Sequence, residues 1–298
     1  MKKTLKIIIF AFIFVSAINL IFSTATSVFS PVRRGKSIFT YFIVGFDDAA
    51  ENTDVMLTFS YDSESNSISI IQIPRDTYVS YDDYEGKING FFPSKLLEGK
   101  SRERVLSSLT ERVSGLLGIP IEGYVGVTHS GFVNAVDSVG GIDIDIPCGY
   151  DNILCEEDAS KKSLHLNGEE AYRFVRYRKG YLRGDLERMD AQKVFIKAAF
   201  KRVLEKGDIL TLFFNIATLD GIFYDFSKAR AIGFFAPNLI KIKEADLLSV
   251  TLQGVAREQN GIWYYFVDRE KAHLYISSHF SSEYNGLDTE KHFVYNKN

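Results

Sequence analysis

The residues Ile38-Phe-Thr-Tyr-Phe-Ile-Val44 form an apolar run that stops at Gly45, the pattern of a buried β-strand ended by a turn. Such a strand needs a core around it. A chain of 298 residues, 46% hydrophobic and 14% aromatic, has enough apolar surface for one large domain. Two further strand-like runs, Val55–Tyr61 and Ile68–Ile73, flank the turn Asp62-Ser-Glu-Ser-Asn-Ser67 and predict a hairpin. Apolar residues at Val105, Leu106, Leu109, Val113, Leu116 and Leu117 predict a helix over Arg102–Leu117, ended by Gly118. Next come a short strand at Tyr124–Val127 and a helix over His129–Val139, capped by Thr128 or Ser130. Strict alternation then marks a half-exposed strand at Ile142–Ile146.

Asp151–Ser163 is polar and reads as a loop, and Gly168–Arg178 and Leu186–Leu204 read as helices. Beyond Lys206 the pattern predicts helices at Ile209–Leu219 and Lys228–Phe235, strands at Leu247–Val255 and Trp263–Val267, and a helix over Arg269–Phe280. The whole is mixed α/β, with no internal repeat and no linker long enough to divide it.

The first residues point to a membrane. Lys2, Lys3 and Lys6 precede an apolar run, Ile7–Phe22, interrupted only by Ser16 and Asn19 and extended by weakly polar residues to Phe29. A spanning helix needs roughly 20 apolar residues, so 7–29 is expected to be a transmembrane anchor with 1–6 cytoplasmic and the remainder extracytoplasmic. Ser23-Thr-Ala25 also resembles the small-residue site of a cleaved signal peptide, and either reading exports the bulk of the chain. Export makes a disulfide between Cys148 and Cys155 possible, with two free thiols as the alternative. The net charge is −3 and no long basic block occurs, which argues against a nucleic-acid partner.

Within that balance, Phe174–Gln192 gathers Arg176, Arg178, Arg183 and Arg188 into one short run. Guanidinium groups bind phosphate through paired, charge-assisted hydrogen bonds, so a local cluster points to a discrete anionic ligand. Arg188 and Gln192, four apart, share a helix face. Asp185 lies at the start of that helix, where a carboxylate also serves as a cap or dipole partner. Three other clusters sit at strand ends: Gly45-Phe-Asp47-Asp48, Asn52-Thr-Asp54, and Ile73-Pro-Arg75-Asp76-Thr77, soon followed by Lys87-Ile-Asn89. Two carboxylates on neighbouring loops could hold a hard cation such as Mg²⁺. An Asp-rich turn and a surface arginine paired with Asp76 are the ordinary alternatives when each cluster is taken alone.

In this order the clusters resemble the LytR-CpsA-Psr family of bacterial envelope proteins over about Phe39–Glu205. Leu117-Gly-Ile-Pro-Ile121, Gly131–Ile142 and Leu166-Asn-Gly-Glu-Glu-Ala171 match as well. The resemblance implies a three-layer α-β-α sandwich with a mixed central sheet over 37–206, with 207–298 as a C-terminal α/β extension packed on the same domain. It implies a phosphotransferase that moves a glycopolymer from a polyprenyl-pyrophosphate carrier to the cell envelope, commonly to peptidoglycan. Carried over by motif, Asp47 and Asp54 would hold Mg²⁺, and Arg75, Lys87, Arg176, Arg178, Arg188 and Gln192 would surround the pyrophosphate. Asp185, with Arg75 and Arg188, would act in catalysis, and a greasy groove would hold the lipid tail. Asp185 is a candidate for orienting an arginine or activating the acceptor.

The chain departs from the family pattern at Asn52, Val79 and Ala191, where the family usually or often has basic residues. These losses keep a non-catalytic polyprenyl-pyrophosphate-binding scaffold open as an alternative. Hydrolysis of the lipid pyrophosphate is a further possibility for the same site. A transcriptional regulator, the older label for the family, fits poorly with export.

Overall fold

The computed structural model describes residues 37–47, 49, 51–147, 161–177, 185–206, 215 and 218–280, with no side-chain placement at 147, 161, 228 and 229. The expected anchor at 7–29, Cys148, Cys155, Arg178, Arg183 and most of the helix expected at Ile209–Leu219 lie outside the described residues. Among the described residues no helix is long and apolar enough to cross a membrane.

The apolar run becomes β1 (Ile38–Phe46), the strand around which the fold is organised. It pairs antiparallel with β2 (Thr53–Asp62), which pairs antiparallel with β3 (Ser67–Gln72) across the expected hairpin. A small hairpin, β4 (Tyr78–Tyr81) and β5 (Tyr84–Lys87), leads into α1 (Ile88–Leu97) and α2 (Arg102–Leu117). β6 (Tyr124–Val127) then joins β1 in parallel. Next come α3 (His129–Ser138), the hairpin β7 (Ile142–Pro147) and β8 (Lys161–Leu166), α4 (Gly168–Arg176) and α5 (Asp185–Glu205).

The C-terminal residues supply β9 (Ile222–Asp225), α6 (Lys228–Phe235), the single turn α7 (Leu239–Ile242), β10 (Asp246–Thr251), the hairpin β11 (Gly254–Gln259) and β12 (Ile262–Val267), and α8 (Arg269–His279). The central mixed sheet has the order β10-β3-β2-β1-β6-β9. Both of its edge strands come from the region after residue 206, so that region completes the sheet from either side.

Helices cover both faces. Ile38, Phe42, Val44 and Phe46 of β1 pack on one side against a cluster that includes Phe91, Leu109 and Ile276, from α1, α2 and α8. The alternate residues Phe39 and Tyr41 pack on the other side with Phe234 and Ile242, the period of 2 expected of a strand buried on both faces. Beside them α3, α4, α5 and the β7–β8 hairpin close a further cluster around Val136, Ile144, Phe174 and Phe195.

The local signals hold where capping chemistry fixes them. Ser101 accepts a hydrogen bond from the Arg104 amide at the start of α2, and Gly118 ends that helix at φ 66°, a left-handed conformation suited to glycine. Asn167 and Glu170 form a reciprocal capping box on α4. Gly168 lies where a side chain would meet the Val133 carbonyl at 2.5 Å, so its lack of one lets α4 approach α3. Its amide donates to Asp137 Oδ1 at 2.7 Å.

Three expectations change. Lys161–Ser163, expected in a loop, begin β8. Their polarity reflects an exposed face on which Ser163 bonds Asp145 and His165 pairs with Asp143 at 2.7 Å. The single strand expected at Leu247–Val255 is two, because β10 stops where its neighbour β3 stops, at the Thr251–Gln72 pair. A helix unread in the sequence, α1, forms despite Pro93 because Ile88, Phe91 and Phe92 are buried in the core.

Candidate functional site

Several segments converge at the end of the sheet where β1 and β3 run out and β2 begins. After Ile73, whose amide still bonds the Met56 carbonyl, Pro74 turns the chain and places Arg75 opposite Asp54. Arg75 Nη1 donates to Asp54 Oδ1 at 2.6 Å. From the last residue of α4, Arg176 brings Nη2 to 4.0 Å from Asp54 Oδ2 while Nη1 donates to the Tyr172 hydroxyl at 2.8 Å.

The helix α5 contributes the other side. Arg188 is buried and its Nη2 contacts both Asp185 Oδ1 at 2.8 Å and the Asp54 carbonyl at 3.3 Å. Asp185 Oδ1 also lies 3.8 Å from Arg75 Nε, a buried atom with no hydrogen-bond partner among the described residues. Asp54 and Asp185 thus lie among three guanidinium groups. The niche lined by Asp54, Arg75, Asp185 and Arg188 has a volume of only about 10 Å³, room for about one water.

Gln192 sits one turn beyond Arg188. Its Nε2 donates to the Val175 carbonyl at 3.2 Å, and its Oε1 accepts from Gln72 Nε2 at 3.4 Å. Gln72 accepts in turn from Thr251 Oγ1 at 3.3 Å. This buried chain ties β10, β3 and α5 to the last turn of α4, directly before Arg176.

Asp47 follows β1. Its Oδ1 accepts from the Glu51 and Asn52 amides, and its Oδ2 from Asn52 Nδ2 at 2.6 Å. Desolvation pushes this carboxyl up, but the Asn52 side chain, the two amides and the charge of Arg176 outweigh it and hold the carboxyl below its usual value. Asn52, where a basic residue was expected, is therefore the residue that clasps Asp47.

Lys87 is placed differently from the arginines. Its ammonium pairs with Asp76 at 2.8 Å. The Lys-Ile-Asn segment instead docks through its backbone, Ile88 N to the Thr77 carbonyl and Asn89 N to the Arg75 carbonyl, which fixes the turn that carries Arg75. Val79 and Ala191, the other two departures, are buried in the apolar core.

As for Mg²⁺, no group of three or more His, Cys, Asp or Glu side chains able to hold a metal exists among the described residues. Asp47, whose carboxyl its own turn holds below the usual value, and Asp54 are ligands of the type Mg²⁺ takes, one or two carboxylates with phosphate oxygens and water completing the shell.

Behind the charged cluster the site is apolar. A cavity of about 250 Å³ has Asp54, Arg176, Arg188 and Gln192 at one end and residues such as Ile43, Phe59 and Phe132 along its body. It shares Ile43 and Phe132 with a second cavity of about 280 Å³. It shares Ile43 and Phe59 with a third of about 230 Å³, which ends at Tyr61, Ile68, Leu239 and Ile242.

Two participants were not singled out from the sequence, Gln72 and Tyr172. A lone amide in the apolar strand Ile68–Ile73 is a buried-polar signal, and Tyr172 stands four residues before Arg176 on one helix face.

Comparison with known proteins bears on the family and the fold. The polyisoprenyl-teichoic acid–peptidoglycan teichoic acid transferase TagV of Bacillus subtilis (strain 168) is 33% identical over 206 residues, 64% of this chain and 48% of TagV. The cell wall biosynthesis protein LcpA of Corynebacterium glutamicum is 29% identical over 181 residues, 55% of this chain and 35% of LcpA. The chain thus spans about half or less of the length of these two relatives. The crystal structure of B. subtilis TagV superposes with a TM-score of 0.61 at 27% identity, covering 83% of this chain and 98% of that one. The model of the LytR_cpsA_psr family matches residues 23–277, from before β1 to within α8. With the match extending over most of its length, the chain belongs to the LytR_cpsA_psr family.

Proposed function

We propose that this protein is a membrane-anchored transferase that moves a glycopolymer from a polyprenyl-pyrophosphate carrier to an envelope acceptor, commonly peptidoglycan, with Mg²⁺ assisting. One observation carries the reading: an apolar cavity along the sheet ends in a cluster of three arginines and two carboxylates. That is the polarity of a lipid diphosphate, a long hydrocarbon tail joined to a doubly charged head. The name of TagV as a transferase acting on polyisoprenyl-teichoic acid supports it.

In this reading Arg75, Arg176 and Arg188, joined by Arg178, take the pyrophosphate oxygens, with Gln192 behind them. The acceptor hydroxyl oxygen bonds to the sugar-side phosphorus, and the bond from that phosphorus to the bridging oxygen breaks. Polyprenyl phosphate leaves, and the hydroxyl proton passes to Asp185 or to solvent. Stabilising the charge on the leaving phosphate is the main task, and fixed guanidinium groups do it without reorganisation. Mg²⁺ held by Asp47 and Asp54 would neutralise further phosphate charge. The contacts of Asp185 with Arg188 and Arg75 favour the orienting role for its carboxylate. Lys87, paired with Asp76, supports the loop bearing Arg75.

A second reading, a binding scaffold without turnover, draws on the burial of Val79 and Ala191, where cations were expected. One experiment separates the two. The full chain in detergent is given a polyprenyl-pyrophosphate glycan and peptidoglycan, with Mg²⁺ or with a chelator. Release of polyprenyl phosphate together with glycan bound to peptidoglycan is the expected result. Tight binding without release would favour the scaffold, and neither binding nor release would remove both readings.

A further inference from the structure

We infer that the turn from Ala236 to Lys243, with Ile240 at its tip, rests in the membrane interface and marks where the lipid tail passes from the bilayer into the apolar cavity. The inference builds on the anchored reading above. It concerns the end of the sheet opposite the arginines.

That end is defined by hydrogen bonds. The Ser37 carbonyl, at the entry to β1, accepts from the Ser63 amide at 2.9 Å and the Ser63 hydroxyl at 3.1 Å. In the same β2–β3 turn, Asn66 Nδ2 donates to the Lys241 carbonyl at 3.0 Å. The α7 turn therefore sits beside the point where the chain enters the domain. Phe234 stacks on Phe39 at 4.1 Å between ring centres and pins the preceding helix to the first residues of β1.

The sequence limits how far this end can lie from the bilayer. Seven residues, 30–36, separate Phe29, the last of the expected anchor, from Ser37. Fully extended they reach roughly 25 Å, and any bend brings the domain closer. The charged cluster lies a whole strand away, roughly 30 Å along the nine residues of β1.

The turn itself has an apolar side chain that the fold does not use. Ile240 is 83% exposed, while its neighbours Leu239 and Ile242 line the far end of the apolar cavity. One short segment thus has side chains on both the cavity and the outer surface. Lys241 and Lys243 follow Ile240, and Glu244, Asp246, Asp62 and Glu64 lie close by in sequence or across the turn. Arg33, Arg34 and Lys36 precede Ser37, so the charges around this turn are mixed, and neutral phosphatidylcholine isolates the apolar part of the contact. The contact is apolar insertion at the headgroup boundary, and neutral lipid suffices.

The chain has a built-in control. Its single tryptophan, Trp263, is 59% exposed on the β11–β12 hairpin, whose Tyr265 amide bonds the Asp76 carbonyl at the charged end. The test uses the full chain reconstituted in phosphatidylcholine vesicles whose acyl chains carry bromine, which quenches indole fluorescence on contact. I240W in a W263F background is expected to lose about half its fluorescence relative to unbrominated vesicles, given burial of about 5–10 Å. The native chain, reporting from Trp263, is expected to keep its fluorescence. An unquenched I240W/W263F chain that floats with the vesicles overturns the inference, as it would if a partner protein covered this turn. Equal quenching of both chains also overturns it, because contact would not be confined to this end. A chain that does not float with vesicles overturns the anchored reading and the inference with it, and flotation tells that outcome apart from the others.

Discussion

Asp54 and Arg75 meet at 2.6 Å where the start of β2 faces the turn after β3, and in the function proposed above Arg75 turns from this carboxylate to the pyrophosphate. Both side chains are about one-fifth exposed. Arg75 is thus partly open to solvent, as its proposed role requires. Arg75→Ala should lower glycan transfer by about 10²–10³-fold, the usual loss when one fixed donor to developing charge is removed. Arg75→Lys should recover only part of this, because an ammonium cannot offer the paired donors of a guanidinium. Release of polyprenyl phosphate is the measurement.

Arg188 combines site and scaffold. Its guanidinium is buried and joins Asp185 to the Asp54 carbonyl. Arg188→Ala should abolish transfer and also destabilise the fold by about 2–3 kcal/mol, below the 3–5 typical of a fully buried pair because Asp185 is partly exposed. Asp185→Asn should destabilise less, since the Asp54 carbonyl remains for Arg188. Denaturant midpoints at constant slope would measure both.

The main strands and helices were legible because their apolar residues repeat with period 2 or 3.6 and their ends carry caps such as Ser101 and Asn167. The helix α1 was not, because Asn89, Gly90 and Pro93 argue locally against a helix that burial of Phe91 and Phe92 imposes. At the site, the arginines and acids could be read as a string of motifs. Their pairing could not. Sequence gives no means of choosing Asp76 as the partner of Lys87, or of knowing that Asn52 clasps Asp47. Position decides those contacts through the register of β1, β2 and β3.

Gln72 tests the buried amide chain. It is 1% exposed and links Thr251 to Gln192. Gln72→Leu keeps the volume but leaves the Thr251 hydroxyl and the Gln192 oxygen without that partner, at about 1–3 kcal/mol for each buried group left unpaired. A fall in Tm of about 4–8 °C is expected for a loss near 2 kcal/mol. Gln72→Glu, which keeps acceptors but loses the donated hydrogen bond, should also destabilise.

Tyr172 holds Arg176 in two ways, by its hydroxyl at 2.8 Å and by its ring, 5.1 Å from the guanidinium carbon. His129 stacks on that ring at 4.0 Å between ring centres. Tyr172→Phe keeps the stack and loses the hydrogen bond, and should raise KM for the lipid substrate by about 3–10-fold, a modest share of a charged hydrogen bond because Arg176 is partly exposed. Tyr172→Leu removes both supports and should have the larger effect. A smaller effect for Leu than for Phe would exclude the stacking role.

Stability should fall at both ends of the pH scale, for opposite reasons. Tyr78 is pushed up to about 12 by desolvation first, and then by its hydrogen bond to Glu85 and the charges of Glu85 and Tyr264. Burial likewise pushes Tyr84 and Tyr265 up to about 12. An unfolded tyrosine ionises near 10, so the folded state favours the neutral form. That stabilisation is fully present below pH 10 and is lost as pH rises from 10 through 12. Asp47 behaves in the reverse sense. Its folded value is lowered, so its contribution is present above the ordinary carboxylate range and is lost as pH falls through the folded value. Denaturation midpoints should therefore hold steady between about pH 5 and 9 as far as these groups are concerned, and drop beyond pH 10. Tyr78→Phe should make the alkaline drop shallower while leaving the acid side unchanged, and Asp47→Asn should do the opposite. An alkaline slope unaltered in Tyr78→Phe would show that the Tyr78–Glu85 hydrogen bond does not couple ionisation to folding.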